Sequence, residues 1–584
     1  MKRSQSLFGV FPMCWDVALL ATVSTVLFGV FARHYPDPHH DGFILAPAIG
    51  VSEGKIMHRE LYSHYGPITS WINGAWLWAT EPALLSLRQL GTFQLTLTAV
   101  VLYVLLVRLH VTRRISWLIS LVWIISCPVW AYESGFFGLW LWPSVTFNLV
   151  ALTCGLLFLQ RATPPDGGTL WSIRNFLLGC FLGLAVLIRT KEGLVLLAMF
   201  LLALVLSRGF AGFLQGVAGI VAIFVLFGAA LFSTRSFSEW ISQSITGPLL
   251  DAGSVAVVGF SWTYFQSIYF AENVFRTALV FVILLALIFA YGKNSGRRVF
   301  RISILILTVV LGHLVLLRTF SYKKLDVSMA YLYPARSSLT YTLLIRLSLL
   351  LTLVGIASMA VTAIWRFLVS QRPSRIQDRE LLVTLSLAVT AVSNLYPLPD
   401  IYHLWWASPS LLVFVVVNIR RSFGPQFGSA AMNVFVYFAL ATIPLNAIKA
   451  VKDLQVPTTR WSDGALKGML IHELVLPSYT EASKVLKKIT QPADFTSCRD
   501  PLWAVFTGRY ISETRYFANV PNSSQVLRSG LLVDCGQRNL EIGSEWILRE
   551  VAKTADFPTS FSTFSSLDRI TVLELKDTQK TGND

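Results

Sequence analysis

The run VALLATVSTVLFGVF, residues 17–31, contains no charged side chain and continues without interruption to Ala32. As a helix, an apolar run of about 20 residues crosses a hydrocarbon core roughly 30 Å thick. Lys2 and Arg3 precede this run, as in a signal sequence, but no small-residue cleavage site follows it. We therefore interpret it as a retained first membrane span, and a similar run at 305–317 extends the pattern along the chain.

The composition supports a membrane protein and makes nucleic-acid binding a poor explanation of the basic charge. Of 584 residues, 54% are hydrophobic and 14% are charged, whereas soluble domains carry about 25% charged residues. The net charge is +16, yet residues 451–584 hold 16 basic and 16 acidic residues, so the whole excess lies in residues 1–450. Basic residues in membrane domains anchor cytoplasmic loops, which accounts for this excess.

Hydrophobic periodicity predicts about thirteen membrane spans, with edges uncertain by a few residues. They cover residues 15–33, 84–107, 115–131, 143–160, 175–189, 193–207, 213–232, 276–291, 302–318, 339–365, 380–395, 407–419 and 430–447. The fold class predicted is thus an α-helical polytopic membrane protein.

The connections between these spans divide into two kinds. Basic connections, at 108–114, 160–174, 207–209, 291–301, 366–379 and 418–424, all fall on one face when the spans alternate. The positive-inside rule makes that face cytoplasmic and places the N-terminus there. Polar and aromatic segments then lie outside, at 34–83, 132–142, 189–192, 233–275, 319–338 and 396–406. Long loops usually carry function, so we expect the active face to be extracytoplasmic.

The tail, residues 451–584, differs in kind from residues 1–450. SYTEASKVLKKIT reads as an amphipathic helix, and LWAVFTG, QVLRSGLLVDC and RITVLELK read as short strands. We predict a small extracytoplasmic α/β domain. Cys498 and Cys535 are the only cysteines in it, and an exported pair can form a disulfide.

The first external loop concentrates titratable groups in PDPHHDGFILAPAIGVSEGKIMHRELYSHYGPI, residues 36–68. Asp41 is either a functional carboxylate or the cap of a helix that begins near Phe43. Asp37, between two prolines, favours a turn. The four histidines, of which His40 and His64 are the main candidates, could bind a metal, move protons or be solvated interfacial residues. Gly66-Pro67 suggests a rigid turn before a helix on the membrane surface.

Three motifs in this loop carry a family resemblance: HHDG (39–42), G-x-x-x-H-R-E-L-Y (54–62) and YGP (65–67). They resemble the first external loop of the GT-C superfamily, membrane glycosyltransferases that use polyprenyl-phosphate-linked sugars. Protein O-mannosyltransferases and the aminoarabinose transferase of lipid A belong to it. Fainter similarity continues in LIRTKEG (187–193) and YPLPDIYHLWWASPSLL (396–412).

The resemblance implies a reaction and roles for residues. The donor would be a polyprenyl-phosphate-linked sugar, and the acceptor a glycan, a lipid or a protein. Asp41, with Asp37 as its neighbour, would activate the acceptor hydroxyl or bind a divalent cation near the donor phosphate; His40 joins them as a catalytic candidate. Such a transfer needs a base for the incoming hydroxyl and positive charge for the leaving phosphate.

Several external residues could supply that positive charge or bind the substrate. Arg189 and Lys191 break the positive-inside rule, which a phosphate partner would explain as well as snorkelling of Arg189 would. The remaining candidates for the donor phosphate or substrate are His64, Lys323, Lys324, Arg336, Asp400 and His403. Trp405 and Trp406 read equally as sugar platforms or as an interfacial aromatic belt.

Two other functions fit a polytopic protein. A transporter or lipid-linked-glycan flippase would place charges near the bilayer midplane and often show internal repeats. A non-catalytic assembly protein would act through its tail. The polar residues instead gather at one face and the first loop is elaborate, so the sequence favours the glycosyltransferase, in a bacterial plasma membrane.

Overall fold

A computed structural model describes most of the first 246 residues and parts of the rest. The described residues are 10–34, 36, 40–63, 65–127, 142–160, 172–246, 375–394, 401–440, 451, 454–455, 457–473, 476, 479–480, 483, 495–497, 531–534, 546–549 and 571–572.

The described part of the membrane domain is helical. Its helices are α1 (Val10–Phe31), α2 (His40–Ser52), α3 (Pro67–Ala79), α4 (Leu84–Arg108), α5 (Arg113–Ile125), α6 (Pro143–Leu159), α7 (Ile173–Ile188), α8 (Thr190–Ser233), α9 (Phe237–Ile241), α10 (Arg375–Ser393) and α11 (Ile401–Leu440). A single π-helical turn, Ser242–Thr246, follows α9.

Apolar helices make this chain an α-helical membrane protein. Among the described residues, Met13–Phe31, Leu84–Arg108 and Thr190–Ser233 are long and apolar enough to cross a membrane. Shorter apolar helices lie at Asp41–Ser52, Pro143–Leu159, Ile173–Ile188 and Trp405–Arg420. The predicted spans 276–291, 302–318 and 339–365 fall outside the described residues, so the total of thirteen stays a prediction.

Helix boundaries follow the sequence closely, with one correction. The predicted span 84–107 is the helix Leu84–Arg108, and the basic connection at 207–209 is a break at Gly209, whose φ of 69° needs glycine. The predicted connection at 418–424 is wrong as a loop, because helix Ile401–Leu440 runs through it. Its basic residues do not interrupt a helix, since arginine is a good helix former.

Glycines allow α7 to pack closely on the second half of α8. A Cβ added at Gly179 would lie 1.9 Å from the carbonyl oxygen of Gly216, and one at Gly219 would lie 2.0 Å from that of Phe176. Small residues at such contacts let two helix backbones approach, which is how helices associate without a hydrophobic driving force in lipid.

One end of the bundle is held by arginines that bind helix carbonyls, and we call it the opposite end. Arg208 Nη2 donates to the carbonyl oxygen of Phe158 at 2.7 Å, and Arg420 Nη1 donates to that of Leu109 at 2.8 Å. Nearby, Asp16 accepts from Arg113 Nε at 3.0 Å. A cation at a helix C-terminus satisfies unpaired carbonyls and complements the helix dipole.

The other end is the site end, where α1 finishes and α2 begins. A hairpin of β1 (Thr458–Arg460) and β2 (Leu470–His472) docks there. The Leu470 N–H donates to the carbonyl oxygen of Arg33 at 2.7 Å, and Lys467 Nζ lies 2.7 Å from Glu81 Oε1. The residues just after the membrane domain therefore lie against the first loop.

Farther along the tail, four short strands form one sheet in the order β3-β4-β5-β6. They are β3 (Phe495–Ser497), β4 (Leu531–Asp534), β5 (Trp546–Arg549) and β6 (Thr571–Val572). β4 pairs in parallel with β3 and β5, whereas β6 is antiparallel to β5. The predicted strands QVLRSGLLVDC and RITVLELK contain β4 and β6; LWAVFTG lies outside the described residues.

Candidate functional site

Asp41 lies in the first turn of α2, buried against Arg88 of α4. Arg88 Nη2 forms an ion pair with Asp41 Oδ2, and Arg88 Nε donates to Asp41 Oδ1 at 3.4 Å. Arg88 Nη1 donates to the carbonyl oxygens of His34 at 2.6 Å and Ala32 at 3.2 Å. One guanidinium thus joins the end of α1 and the starts of α2 and α4, and both oxygens of Asp41 accept from it.

Arg189 forms the one-residue junction between α7 and α8. Its Nη1 donates to Ser144 Oγ and Asn394 Oδ1, and its Nη2 donates to Glu192 Oε1 at 2.9 Å. Two further helices, α6 and the end of α10, are therefore fixed to this junction, together with the first turn of α8. Its Nε is buried and has no hydrogen-bond partner among the described residues.

Lys191 is the accessible cation of this junction. Its side chain is 44% exposed, and its Nζ lies 3.2 Å from Glu192 Oε1, whose side chain is buried. The first backbone N–H groups of α8 lack intrahelical acceptors, and the helix dipole makes this terminus positive. The Thr190 hydroxyl is buried here, without a hydrogen-bond partner in the part of the chain that the structure describes. The arrangement suits an anion.

The YGP motif, residues 65–67, packs against the α7–α8 junction. The Gly66 N–H donates to the carbonyl oxygen of Ile188 at 3.3 Å, and a Cβ at Gly66 would lie 1.8 Å from the Leu187 carbonyl oxygen. The Tyr65 ring centre lies 5.9 Å from the Arg189 guanidinium carbon. Gly66 is therefore a close backbone contact as well as the turn predicted, and Pro67 begins α3 as expected.

Tryptophans fill the space beside the junction. Trp142 stacks on Trp406 at 5.9 Å between ring centres, and Trp123 stacks on Trp405 at 5.2 Å. His403 meets Trp406 edge-on at 5.2 Å. Trp405 and Trp406 are buried, so neither presents the open face that a sugar platform needs, nor the exposure of an interfacial belt.

His58 is buried in the first loop, where burial lowers its pKa from 6.5 to about 4. Its Nδ1 lies 2.9 Å from the amide oxygen of Gln243, so Nδ1 carries the ring proton. Nε2 is buried without a partner among the described residues, which suits a neutral imidazole. In the part of the chain that the structure describes, no three His, Cys, Asp or Glu side chains could together hold a metal ion.

The remaining predicted site residues divide between described and undescribed positions. Only the backbone of His40 is described, at the start of α2. Asp37, His64, Lys323, Lys324, Arg336, Asp400, Cys498 and Cys535 lie outside the described residues. Their roles stay predictions.

Two residues of the site escaped the sequence interpretation. Arg88 stands alone inside a predicted span, and an ionisable residue within a membrane segment is a functional or pairing residue by default. That signal could have identified it. Gln243 carried no such signal, because glutamines are common in connections and its partners lie far away in the chain.

No protein-family model matches the chain, and no curated protein matches it in sequence. Its structure is similar to the oligosaccharyltransferase of Archaeoglobus fulgidus carrying a tethered acceptor peptide, with a TM-score of 0.44 and 11% identity. This similarity covers 86% of this chain and 64% of that one. The chain thus spans under two thirds of that enzyme.

ArnT from Cupriavidus metallidurans in its apo state is also similar, with a TM-score of 0.39 and 12% identity over 85% of this chain and 84% of that chain. Archaeal AglB from Archaeoglobus fulgidus, in complex with an inhibitory peptide and a dolichol-phosphate, gives 0.42 and 13% over 88% and 65%. These proteins are glycosyltransferases of the GT-C superfamily.

Proposed function

We propose that this protein transfers a sugar from a polyprenyl-phosphate-linked donor to a glycan, lipid or protein acceptor on the extracytoplasmic face of the membrane. The observation that carries the proposal is the α7–α8 junction. There a half-exposed lysine and a helix N-terminus stand beside the elaborate first loop, at one end of an apolar helical bundle. An anionic headgroup on a lipid tail is the ligand that suits such a place.

Lys191 is proposed to bind the donor phosphate. When the acceptor hydroxyl attacks the anomeric carbon, the bond from that carbon to the phosphate oxygen breaks and the phosphate takes the electron pair. The Lys191 ammonium and the first N–H groups of α8 would stabilise the charge that grows on that oxygen. Groups fixed before the reaction contribute most, because they need no reorganisation.

Arg189 is proposed to act through Lys191 and not on the phosphate itself. Its two terminal nitrogens already donate to Ser144, Asn394 and Glu192. Glu192, held by Arg189, lies 3.2 Å from the Lys191 ammonium and directs it. The predicted direct phosphate contact of Arg189 is thereby replaced by a positioning role.

Asp37 is the better proposal for the carboxylate that activates the acceptor. Asp41 is buried, and each of its oxygens accepts from Arg88, so part of its acceptor capacity is committed to an ion pair that joins three chain segments. We therefore place Asp41 second to Asp37 as the activating carboxylate. His40 stays a proposed proton carrier beside Asp37.

The membrane orientation is part of the proposal. The site end would be extracytoplasmic and the opposite end, with its carbonyl-binding arginines, cytoplasmic. Single cysteines introduced at Thr80, which is exposed at the end of α3, and at Ser422 test it in intact cells. We expect a membrane-impermeant maleimide to reach position 80 after mild permeabilisation of any outer layer, and never position 422; labelling at 422 would reverse the orientation.

The function is tested by binding of undecaprenyl monophosphate, the type of lipid phosphate that such a transfer releases. We expect Lys191→Met to weaken binding about 10- to 100-fold, the value of a hydrogen bond to a charged group. Lys55→Met is the matched control, because Lys55 is 45% exposed and also faces a glutamate, Glu60, at 4.0 Å. Equal binding by both variants and the parent would reject the Lys191 site.

A transfer assay completes the test. Membranes supplied with undecaprenyl-phosphate-linked sugars should transfer sugar with the parent and Lys55→Met, and at least tenfold more slowly with Lys191→Met. If the parent carries undecaprenyl-phosphate-linked sugar across vesicles without any transfer, the protein is a flippase.

A further inference from the structure

Gln243, in the π-helical turn after α9, holds the first loop by three hydrogen bonds. Its amide oxygen accepts from His58 Nδ1 at 2.9 Å and from the Ser63 N–H at 3.2 Å. Its amide nitrogen donates to the carbonyl oxygen of His58 at 2.9 Å. The amide is therefore oriented unambiguously, and π-helical turns recur at functional sites.

His58 reaches Gln243 only from a strained backbone. Its φ is 67°, a left-handed conformation that few residues other than glycine adopt, and its N–H donates to the carbonyl oxygen of Leu61 at 2.8 Å. Strain of this kind persists where the surroundings fix it, and it is found at functional sites. The tight turn at 58–61 is thus shaped to present both the ring and the carbonyl of His58 to one amide.

Ser244 extends the contact toward the phosphate site. Its hydroxyl donates to the carbonyl oxygen of Tyr65 at 2.9 Å. The next residue, Gly66, donates to the carbonyl oxygen of Ile188, and the Tyr65 ring lies over Arg189. The described residues of this part of the loop, 58–63 and 65–66, are therefore clamped between the turn at 242–246 and the α7–α8 junction.

We infer that Gln243 and Ser244 are positioning residues for the phosphate site: they hold Tyr65 against Arg189 and so fix the direction of Lys191. The inference rests on the proposed function for what Lys191 binds. Neither residue touches the reacting atoms. Misplacement of a binding group by about 1 Å from a distant change is enough to lower a rate 100-fold, so such a clamp has a measurable effect.

The test combines a readout of geometry with a readout of binding. First, Lys191→Cys is labelled by a water-soluble maleimide in the otherwise unchanged protein and together with Gln243→Leu. We expect at least a threefold change in labelling rate at position 191. Secondly, Gln243→Leu, with Lys191 intact, should bind undecaprenyl monophosphate about tenfold more weakly than the parent.

Gln215→Leu is the matched control. Gln215 lies on α8 and, like Gln243, accepts a side-chain hydrogen bond, here from Asn175 Nδ2 at 2.7 Å, but near the opposite end of the bundle. It should change neither readout. Gln243→Glu is the conservative variant: it keeps acceptors for His58 and Ser63 but loses the donor to the His58 carbonyl oxygen. It should bind undecaprenyl monophosphate more tightly than Gln243→Leu and more weakly than the parent. Ser244→Ala gives a milder version of the same effects if Gln243→Leu does not fold.

The outcomes separate this inference from the proposed function. If the parent binds undecaprenyl monophosphate and Gln243→Leu binds it equally, with unchanged labelling at 191, the positioning role is wrong. If the parent does not bind the lipid phosphate but labelling at 191 still responds to Gln243→Leu and not to Gln215→Leu, the coupling stands and the proposed function fails.

Discussion

Two buried arginine–carboxylate pairs lie at the same end of the bundle and differ in what surrounds them. In Arg88–Asp41 the guanidinium also binds two backbone carbonyls, and both carboxylate oxygens accept from it. In Arg189–Glu192 the guanidinium binds side chains, and the carboxylate is shared with the half-exposed Lys191. The Arg88–Asp41 pair has no net charge, whereas Arg189, Glu192 and Lys191 together carry one net positive charge.

This difference shows how the same two residue types serve two purposes. A buried ion pair stabilises little by itself, because desolvation offsets the attraction, but removing one partner is severe. The Arg88–Asp41 pair therefore fixes three chain segments. The Arg189–Glu192 pair also holds Lys191, whose side chain is half exposed, so that an anion can reach it. The following predictions test this comparison.

Arg88→Met should have the largest effect. It leaves Asp41 as a buried, unpaired carboxylate and deprives two carbonyls of their donor, so we expect a loss of about 3–5 kcal/mol in the free energy of unfolding. Thermal unfolding in detergent, followed by tryptophan fluorescence, measures it.

Asp41 supplies the control for this prediction. Asp41→Asn should also destabilise, and the double variant Asp41→Asn/Arg88→Met should lose less than the two single losses together, by about 1–3 kcal/mol. An Asp41→Asn variant that melts like the parent yet transfers no sugar would restore Asp41 as the catalytic carboxylate.

Glu192→Gln should destabilise the protein less than Arg88→Met does, and it should not weaken the binding of undecaprenyl monophosphate. The glutamine oxygen still accepts from Arg189, and the Lys191 side chain is half exposed to solvent, so we expect a loss of about 2 kcal/mol in the free energy of unfolding. Removal of the negative charge should leave undecaprenyl monophosphate bound at least as tightly as in the parent. A destabilisation equal to that of Arg88→Met would mean that Arg189–Glu192 serves the fold in the same way as Arg88–Asp41.

Acid should weaken the loop between the two pairs. His58 is neutral in the folded protein with a pKa of about 4, whereas an unfolded histidine takes up a proton near 6.5. The unfolded state therefore binds more protons between these values, and stability falls as the pH falls, by about 1–2 kcal/mol at pH 5. The hydrogen bond to Gln243 and the negative charge of Glu239 both oppose this lowering of the His58 pKa.

His58→Asn isolates this contribution, because asparagine tolerates the left-handed backbone and does not titrate. The difference in stability between His58→Asn and the parent should shrink as the pH falls from 7 to 5. A parallel pH profile for the two proteins would show that another group carries the dependence.

Lys467→Met should have the smallest effect. Lys467 and Glu81 form an ion pair at the same end of the bundle, but both side chains are about half exposed. Water screens such pairs, so we expect a change below about 1 kcal/mol in the same melting assay. A loss comparable to that of Glu192→Gln would mean that the hairpin depends on this pair.

Local patterns predicted the helices and the junction well. The bounds of α4 and the break at Gly209 follow from where apolar runs meet basic residues and glycine, which are local properties. Arg189 and Lys191 were identified because charges between two spans are conspicuous. Each of these signals lies within a few neighbouring residues.

Partnerships between distant residues could not be predicted in the same way. Asp41 reads as an available carboxylate until Arg88, 47 residues away, is placed beside it. Trp405 and Trp406 read as surface aromatics until Trp123 and Trp142 stack on them. Gln243 meets His58 across 185 residues. Which side chains saturate one another depends on helix packing, which one sequence does not encode locally.

The β1–β2 hairpin imposes an order on assembly. Strand β2 of the hairpin pairs with the chain at Arg33 and His34 through Leu470. Beyond the hairpin, Tyr479 Oη donates to the carbonyl oxygen of Pro36, 443 residues earlier. During synthesis, the first helix and its loop enter the membrane long before these partners exist. Contacts between such distant segments form late and leave earlier surfaces exposed meanwhile. The site end should thus reach its final form only after nearly the whole membrane domain has been inserted, and ribosome-stalled chains that end before residue 457 should expose Arg33 and Pro36 to protease.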